Sequence, residues 1–309
     1  MANRMQNLRV VDAVLTALSV GYRNESYIAD MLFPLARVTK EVGQIPRFNK
    51  DHFRLYNTER AIRARSNVMQ PGDRDFVPVA LEEHDFSVPM DYREGEEADF
   101  DLEASNALIA EEVIRIRREK IAADLAFNAA NYAAGNKITL AGADQWTAIG
   151  TSDPIDDIET GKDAVRAGIA RYANSVTFGA SSWKSFKNHP AVIDRIKHSQ
   201  IGVLTLDLAK QILDVENIYI GKAVYQTDAG AVVDVWGDKC LVHYTRPPAA
   251  GVQRSVYEPN FGYTAYKLIG ETDKYLGEGG KVQYVRNTAN FKQVIVGADA
   301  GYLIGDTNA

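Results

Sequence analysis

The sequence predicts an α+β fold in which an extended, charged region precedes a compact one. Three observations support this prediction. Residues 63–101 contain strand-like segments among acidic residues, with no helix to cover them. One long helical pattern follows at residues 101–134. Helices then alternate with strands over residues 155–248, and the chain of 309 residues is long enough for one large domain or two ordinary ones.

The N-terminal part of the chain predicts an extended arm. A short helical pattern lies within residues 1–24, and Pro34 and Pro46 then interrupt residues 25–60. Proline lacks a backbone donor and disfavours helix in the residue before it. We therefore expect one or two short strands in this part and no long helix.

Two segments after the arm alternate apolar and polar residues as a β-strand does, at residues 76–79 and 86–92. Each contains a proline, Pro78 or Pro89, and acidic residues surround both. They predict a β-hairpin that buries nothing within its own chain, and a lone hairpin is marginally stable in water. We expect a chain without residues 66–92 to remain folded.

Charge is divided unevenly between two neighbouring segments. Residues 1–65 contain eleven basic and six acidic residues, a formal charge of +5. Residues 66–111 contain thirteen acidic residues and two arginines, a formal charge of −11. Segments of opposite charge attract each other, within one chain or between copies. The alternative is that each segment is simply a solvated surface.

The strongest single element is the predicted helix at residues 101–134. It has no proline and no internal glycine, and it is rich in alanine, glutamate, arginine and leucine. Asp99 or Asp101 is a suitable N-cap, and Gly135 is a typical C-terminal stop. Such a helix would be roughly 50 Å long, well beyond the usual length of a globular helix.

The remainder of the chain predicts a compact unit followed by strands. Helical patterns with capping residues alternate with strands between residues 155 and 248, where Thr205 is a predicted cap and residues 228–230 a predicted turn. Residues 263–304 predict three strands, and the glycine-rich residues 276–280 predict a turn between two of them.

The sequence contains no constellation that predicts catalysis. LGEGGK at residues 276–281 lacks the spacing of a phosphate-binding loop. Asp156 and Asp157 lie at a predicted helix start, where capping is the simpler role. Cys240 and His243 are too few to form a zinc site. We predict no catalytic, cofactor-binding or metal-binding residues, and no cofactor.

Composition excludes several classes of protein. The net charge of −6 is not that of a general nucleic-acid binder, although the basic arm could contact phosphates non-specifically. The single cysteine, Cys240, excludes a disulfide within the chain and is typical of the reducing cytoplasm. No apolar run is long enough for a transmembrane helix, and no signal peptide is evident. We expect a protein made and used inside a cell.

Four stretches carry a resemblance to a known family. They are YIADMLFPLARVTKEVGQIPRFNKDHFR (27–54), the helix at 101–134, FGASSWKSFKNHPAVIDRIKHS (178–199), and ENIYIGKAVYQT with VWGDKCLVHYTRPP (216–248). Their order resembles the major capsid proteins of tailed bacteriophages, which have the Hong Kong 97-type fold that encapsulins share. The resemblance covers nearly the whole chain, and it lies in the order and lengths of the elements.

The resemblance implies a division of the chain into five parts. They are an N-terminal arm (1–59), an extended loop or β-hairpin (60–98), a peripheral domain with a long spine helix (99–154), an axial domain (155–262) and return strands of the peripheral domain (263–309).

The resemblance also implies the function. The protein is expected to self-assemble, as pentamers and hexamers, into the icosahedral head shell around double-stranded DNA, and not to be an enzyme. Separate scaffolding, portal and decoration proteins and non-specific contact with DNA are the expected partners, with no membrane. The expected location is the virion, after assembly in the host cytoplasm. The candidate contacts between subunits are Arg60, Arg63, Arg65, Glu82, Glu83, Asp85, Glu94, Glu96 and Glu97.

Two features depart from parts of that family. Some members carry a large helical scaffolding segment before the arm, whereas this chain starts almost directly at the arm. We therefore expect scaffolding to be a separate protein or unnecessary. Some members crosslink lysine to asparagine between subunits, but residues 51–119 contain no lysine, so no crosslink is expected from the hairpin.

Three alternatives compete with the capsid hypothesis. An encapsulin-like nanocompartment has the same fold and would enclose a protein cargo. A soluble enzyme would have a dispersed active site within residues 155–248. A fibrous or surface-layer protein is the third alternative, and the lack of a signal peptide argues against it.

Overall fold

The predicted α+β class is confirmed in a computed structural model of the protein. The structure describes residues 27–47, 55–68, 76–98, 101–196, 204–246 and 260–309. Seven α-helices and thirteen β-strands lie in these ranges. The helical pattern predicted within residues 1–24 lies outside the described residues.

The helices are α1 Ala29–Leu32, α2 Tyr92–Glu97, α3 Leu102–Ala126, α4 Pro154–Ile169, α5 Ala180–Asn188, α6 Pro190–Ile196 and α7 Leu206–Leu213. The strands are β1 Leu35–Arg37, β2 Val42–Pro46, β3 Phe76–Ala80, β4 Glu82–Asp91, β5 Lys137–Thr139, β6 Ser175–Gly179, β7 Asn217–Gly221, β8 Val224–Gln226, β9 Val232–Asp234, β10 Cys240–His243, β11 Gly262–Leu276, β12 Val282–Ile295 and β13 Gly301–Gly305.

Four strands form a sheet that we call the peripheral sheet, in the order β1-β11-β12-β4. β1 pairs with β11 in parallel, and the other pairs are antiparallel. The pairing of β12 with β4 extends from Val282 opposite Asp91 to Phe291 opposite Glu82. α3 packs across β12 and β4, where Ala107 contacts Val285. Small residues on this helix face let the helix approach the sheet closely.

α3 begins where the sequence predicts. Asp101 is the N-cap, and its Oδ1 accepts a hydrogen bond from the Ala104 backbone N–H at 3.0 Å. The helix contains 25 residues, which corresponds to about 37 Å. It is therefore shorter than predicted.

The predicted helix end at residue 134 is wrong, because side chains beyond Ala126 bind the last carbonyl groups of the helix. Asn131 Nδ2 donates to the Leu125 carbonyl at 2.7 Å, and the Tyr132 hydroxyl donates to the Ala126 carbonyl at 2.6 Å. These bonds satisfy acceptors that would otherwise lack partners at a helix end. The alanine-rich sequence favours helix locally, but the side-chain hydrogen bonds end it earlier.

The two predicted strand segments are present as β3 and β4, but they do not pair with each other. β3 pairs antiparallel with β2, and β4 pairs with β12. The extended β-hairpin is therefore formed by β2 and β3, and residues 47–75 connect its strands. The alternation of apolar and polar residues predicts a strand, whereas its partner depends on the whole sheet.

The base of this hairpin is buried, contrary to the expectation that it buries nothing. Ile45 of β2 and Val79 of β3 pack with Tyr263 and Val294 on the peripheral sheet. Removal of residues 66–92 would take away both β3 and β4, so the expected folded deletion variant does not agree with this sheet.

A five-stranded sheet in the order β5-β13-β10-β6-β7 carries the larger core. Every residue of β6, β10 and β13 is buried. α4 packs on β10 and β13, and Trp146, Phe178 and Phe186 form an aromatic cluster with ring centroids 5.2–6.3 Å apart. β5 and β13 join this sheet from outside residues 155–248.

Three local predictions are confirmed in this part of the chain. Thr205 Oγ1 caps α7 by accepting the Leu208 N–H at 3.4 Å. Residues 228–230 lie in the connection between β8 and β9, and residues 277–280 of the predicted turn lie in the connection between β11 and β12. Local sequence was sufficient for these features because turns and caps depend on neighbouring residues.

Candidate subunit interface

β4 is an edge strand of the peripheral sheet, and no strand in the described ranges pairs with its outer side. All its residues are exposed or half-buried. Such an edge offers backbone N–H and C=O groups to another strand. β4 and the helix that follows it, α2, carry the predicted acidic residues, and we call this surface (residues 82–97) the acidic edge. Those residues are Glu82, Glu83, Asp85, Glu94, Glu96 and Glu97.

Two of the predicted acids make ion pairs within their own sheet. Glu82 pairs with Lys292 of β12, and the hydrogen bond from Lys292 lowers the pKa of Glu82. Asp85 lies 3.5 Å from Arg286 of the same strand. These pairs hold β4 to its neighbour, so Glu82 and Asp85 have a structural role within the sheet.

Glu94 caps the short helix α2. Its Oε2 accepts the Asp91 N–H at 3.0 Å, while Asp91 Oδ1 accepts the Arg93 N–H at 3.1 Å. This reciprocal arrangement is a capping box, which satisfies backbone donors at the helix start. Sequence analysis assigned Glu94 only to subunit contacts and missed this role.

The other three predicted acids are free to meet another molecule. Glu83, Glu96 and Glu97 are exposed. Within the described ranges, the side chains of these three residues form no hydrogen bond and no ion pair. They are the best placed of the predicted acids for a contact between copies.

Arg286 joins three strands of the peripheral sheet. It donates two hydrogen bonds to Asp273 of β11, at 3.0 and 2.6 Å, and its guanidinium lies 5.0 Å from the centroid of the Tyr275 ring. The hydrogen bonds to Asp273 raise the pKa of Arg286. With Asp85 on β4, these contacts link β11, β12 and β4.

The residues around Arg60 form a second exposed surface, which we call the hairpin tip (residues 55–68). All fourteen residues of the tip are exposed, so the tip projects away from the rest of its chain. It contains Arg60, Arg63 and Arg65, which the sequence predicts as contacts. Leu55, Ile62 and Val68 are 97%, 93% and 83% exposed, which is unusual for large aliphatic side chains.

Local hydrogen bonds close the hairpin tip on itself. Asn67 Nδ2 donates to the carbonyl groups of Asn57 at 2.8 Å and Glu59 at 3.0 Å. Arg60 Nη1 donates to the Ala64 carbonyl at 2.6 Å. Arg63 has φ 67°, in the left-handed region that residues with a Cβ disfavour. The tip is therefore an independent loop with one strained residue.

The structure of one chain does not bring the predicted bases and acids together. Among the described residues, no hydrogen bond or ion pair joins Arg60, Arg63 or Arg65 to the acidic edge. The sequence could not reveal the exposed Ile62 and Leu55, because apolar residues without periodicity predict neither surface nor core.

A buried carboxylate holds the described beginning of the chain against α3. Glu119 is 1% exposed, and its oxygens accept the N–H groups of Ile28 and Ala29, both at 2.9 Å. Glu119 Oε1 also accepts the Trp236 indole N–H at 2.6 Å. Burial raises the pKa of Glu119, while these hydrogen bonds act in the opposite direction. Sequence analysis missed this residue, because its partners lie far apart in the chain.

One serine–histidine pair in the described residues invites comparison with a catalytic dyad. Ser152 Oγ lies 3.1 Å from His189 Nε2. The Ala191 N–H donates to His189 Nδ1 at 3.2 Å, so Nδ1 carries the lone pair and Nε2 carries the proton. His189 therefore donates to Ser152 and cannot remove its proton, which a general base would have to do.

His243 is buried within the five-stranded sheet. Its Nε2 lies 3.0 Å from Thr177 Oγ1 and its Nδ1 lies 2.8 Å from Thr245 Oγ1. Burial lowers the pKa of His243 to about 3, so the ring is neutral. Its two hydroxyl partners join neighbouring parts of the sheet.

In the described ranges, no three histidine, cysteine, aspartate or glutamate side chains are grouped so as to hold a metal ion. None of the helices in those ranges combines the length and the apolar character that crossing a bilayer requires.

Comparison with known proteins gives consistent similarities over the whole chain. The family model described as phage major capsid protein E matches residues 79–267. The chain is 46% identical over 305 residues to the major capsid protein of Burkholderia phage BcepMu, with 99% of each chain covered.

Solved structures show the same similarity. A phage-related protein from Bordetella bronchiseptica RB50 has a TM-score of 0.78 and 30% identity, over 97% of this chain and 98% of that chain. The holo-SrpI encapsulin of Synechococcus elongatus PCC 7942 has a TM-score of 0.55 and 11% identity, over 97% and 96% of the two chains, which concerns the fold alone.

These similarities confirm the Hong Kong 97-type fold that the sequence predicts. The family model spans more than half of the chain, and the BcepMu capsid protein is similar throughout. The chain belongs to the phage major capsid protein E family.

Proposed function

We propose that this chain self-assembles into the icosahedral head shell that encloses the double-stranded DNA of a tailed phage. The observation that carries the proposal is the similarity to a phage major capsid protein along the entire chain. Two features support it: all residues of the hairpin tip are exposed, and no strand in the described ranges pairs with the outer side of β4.

Contacts between copies form between the basic hairpin tip of one subunit and the acidic edge of another. The hairpin tip of one subunit, with Arg60, Arg63 and Arg65, approaches the acidic edge of the next. On that edge, the side chains of Glu83, Glu96 and Glu97 contribute charge that no group among the described residues of their own chain neutralises. Glu82 and Asp85 contribute charge that an ion pair within the sheet already neutralises in part. Complementary charge favours the correct register and increases the rate of association.

The subunits arrange as pentamers and hexamers, in which residues 155–262 act as the axial domain. Residues 99–154 and 263–309 act as the peripheral domain, except that β5 and β13 lie in the five-stranded sheet with β6, β7 and β10. The arm (1–59) and the extended loop (60–98) precede this domain in the chain. Many weak contacts together stabilise such a shell. The protein acts as a structural component without catalytic activity or a cofactor.

The proposed partners follow from this role. Separate scaffolding, portal and decoration proteins complete the head, and packaged DNA contacts the inner surface without sequence selection. Assembly takes place in the host cytoplasm, and the product is the virion.

Electron microscopy of negatively stained protein tests the proposal directly. The protein is expressed alone and together with the neighbouring genes of its phage. Closed shells of uniform diameter that contain DNA after packaging are the expected result. A monomer under every condition, or shells filled with a protein cargo, would contradict it.

The electrostatic part has a separate test. Reversing charge at Glu83, Glu96 and Glu97 to lysine is expected to weaken assembly strongly at low salt and less at high salt, because salt screens exposed charges. The matched glutamine substitutions remove charge without reversing it, so their effect should be smaller. Equal losses of assembly at both salt concentrations would indicate that these residues contribute through packing and not through their charge.

A further inference from the structure

No strand in the described ranges pairs with the outer side of the ten-residue strand β4, whereas β12 is paired with β11 on one side and with β4 on the other. We propose that this edge accepts residues 60–65 of a second copy as an added antiparallel strand, an inference that rests on the proposed shell. Strand addition gives backbone hydrogen bonds along the edge and side-chain contacts on both faces.

The spacing of charges on the two segments supports this pairing. In an extended strand, residues two apart lie on the same face. Arg63 and Arg65 are two apart, and so are Glu83 and Asp85. Strand pairing would therefore place both arginines against both acids on one face of the widened sheet.

The apolar residues select the direction of the added strand. In the antiparallel register that places Arg65 opposite Glu83 and Arg63 opposite Asp85, Ile62 lies opposite Phe86. Ile62 is 93% exposed in one chain and Phe86 is 39% exposed. The parallel register with the same charge contacts would place Ile62 opposite Glu82, so the antiparallel arrangement is favoured.

The same charges disfavour the pairing of β4 with β4 of another copy. Two copies of β4 that paired with each other would bring acidic side chains together, and Pro89 removes one backbone donor from the edge. A strand with arginine at every second position relieves this repulsion. The charges of β4 thus disfavour pairing with the β4 strand of another copy and favour pairing with the hairpin tip.

The hairpin tip can adopt the extended form with little resistance. The bonds at its turn are local: the Ala64 N–H donates to the Ala61 carbonyl at 3.1 Å, and Arg60 Nη1 donates to the Ala64 carbonyl. The hydrogen bonds from Asn67 to the Asn57 and Glu59 carbonyls lie on either side of residues 60–65. Arg63 has φ 67°, which strand formation would move into the favoured β region. Docking would therefore release a strained residue.

Engineered cysteines test the contact, because Cys240 is the sole cysteine of the sequence and is buried. Ala64 lies opposite His84 in either strand direction, so Ala64→Cys with His84→Cys keeps every arginine and acid. Under mild oxidation, assembled shells of this variant should give a ladder of covalent oligomers on a non-reducing gel. The two single variants serve as controls and should give no ladder.

A second set of pairs tests the direction. Ile62→Cys with Phe86→Cys should crosslink, whereas Ile62→Cys with Glu82→Cys should not, because 62 and 82 are opposite only in the parallel register. The reverse pattern would overturn the antiparallel arrangement. A disulfide within one chain, seen as a monomer of altered mobility, would overturn docking between copies.

The outcomes separate this inference from the proposed shell. If the native protein forms shells and the cysteine pairs give no ladder, strand addition is wrong while the shell proposal stands. If the native protein forms no shells, the shell proposal fails first. If the cysteine variants do not assemble, charge exchange provides a second test. The variant Arg63→Glu with Arg65→Glu should form no shells, and the further substitutions Glu83→Arg and Asp85→Arg should restore them. Failure of these two substitutions to restore shells would also overturn the inference.

Discussion

The two larger sheets of this protein differ in how their edges and side chains are satisfied. The five-stranded sheet buries every residue of β6, β10 and β13, and its polar groups, such as His243, bind partners within the sheet. The peripheral sheet ends in a ten-residue edge strand rich in acids, and its hairpin extends into an exposed tip. The difference supports the proposal that contacts between copies involve the second sheet more than the first.

The largest expected effect separates assembly from folding. Replacing residues 58–66 with a short Gly-Ser linker should abolish shells and leave the thermal midpoint of the subunit nearly unchanged, because all tip residues are exposed. The hydrogen bond from Asn67 to the Asn57 carbonyl shows that the two ends lie close enough for a short linker. Electron microscopy and thermal unfolding measure the two properties. Normal shells from this variant would remove the proposed distinction between the two sheets.

The second effect concerns stability. Glu119→Ala leaves the N–H groups of Ile28, Ala29 and Trp236 without their acceptor. We expect the free energy of unfolding to fall by about 3 kcal/mol, since each buried unpaired donor costs roughly 1–3 kcal/mol and the buried charge is relieved. Urea denaturation of the unassembled subunit measures it. The control Glu103→Ala removes only a partly exposed ion pair with Lys274 and should cost less than about 1 kcal/mol.

The third effect depends on pH and belongs to the five-stranded sheet. The pKa of His243 is lowered to about 3 in the folded protein, against 6.5 as its ordinary value. The unfolded chain therefore binds a proton below pH 6.5 that the folded chain does not bind, and this contribution to stability is lost as pH falls from 6.5 towards 3. The slope is about 1.4 kcal/mol per pH unit for this group. His243→Gln should flatten the stability profile in that window; an unchanged profile would contradict the burial of a neutral ring.

The smallest expected effect lies on the peripheral sheet. Lys292→Met removes the exposed ion pair with Glu82 and should change the free energy of unfolding by less than about 1 kcal/mol, because solvent screens such pairs. Chemical denaturation measures it. A loss comparable to that of Glu119→Ala would show that the edge of the peripheral sheet is as essential to folding as the buried contacts.

Sequence patterns predicted the elements of this fold better than their partners. The start of α3 at Asp101, the cap of α7 at Thr205 and the turn after β11 follow from a few neighbouring residues. The end of α3 was missed, because Asn131 and Tyr132 fold back on a helix that alanine propensity would continue. Similarly, β3 and β4 were recognised as strands and assigned to each other.

The candidate interface was predictable in charge and not in geometry. Counting charges identified a basic segment beside an acidic one, and the predicted contact residues in them, such as Arg60, Arg63 and Glu83, are exposed. The sequence did not show which acids already have an ion-pair partner within the chain. The partners of Glu82 and Asp85 come from β12, about two hundred residues later in the chain. The buried Glu119 was missed for the same reason.

By itself, the sequence determined the α+β class, the long helix, the order of elements that resembles phage capsid proteins and the opposite charges of neighbouring segments. These properties depend on local propensity, periodicity and composition. Only the tertiary structure decided that the hairpin is formed by β2 and β3, that β4 is a free edge and that Glu119 joins three distant parts of the chain. Strand partners and buried hydrogen bonds depend on which distant residues meet, and that is settled by the packing of the whole chain.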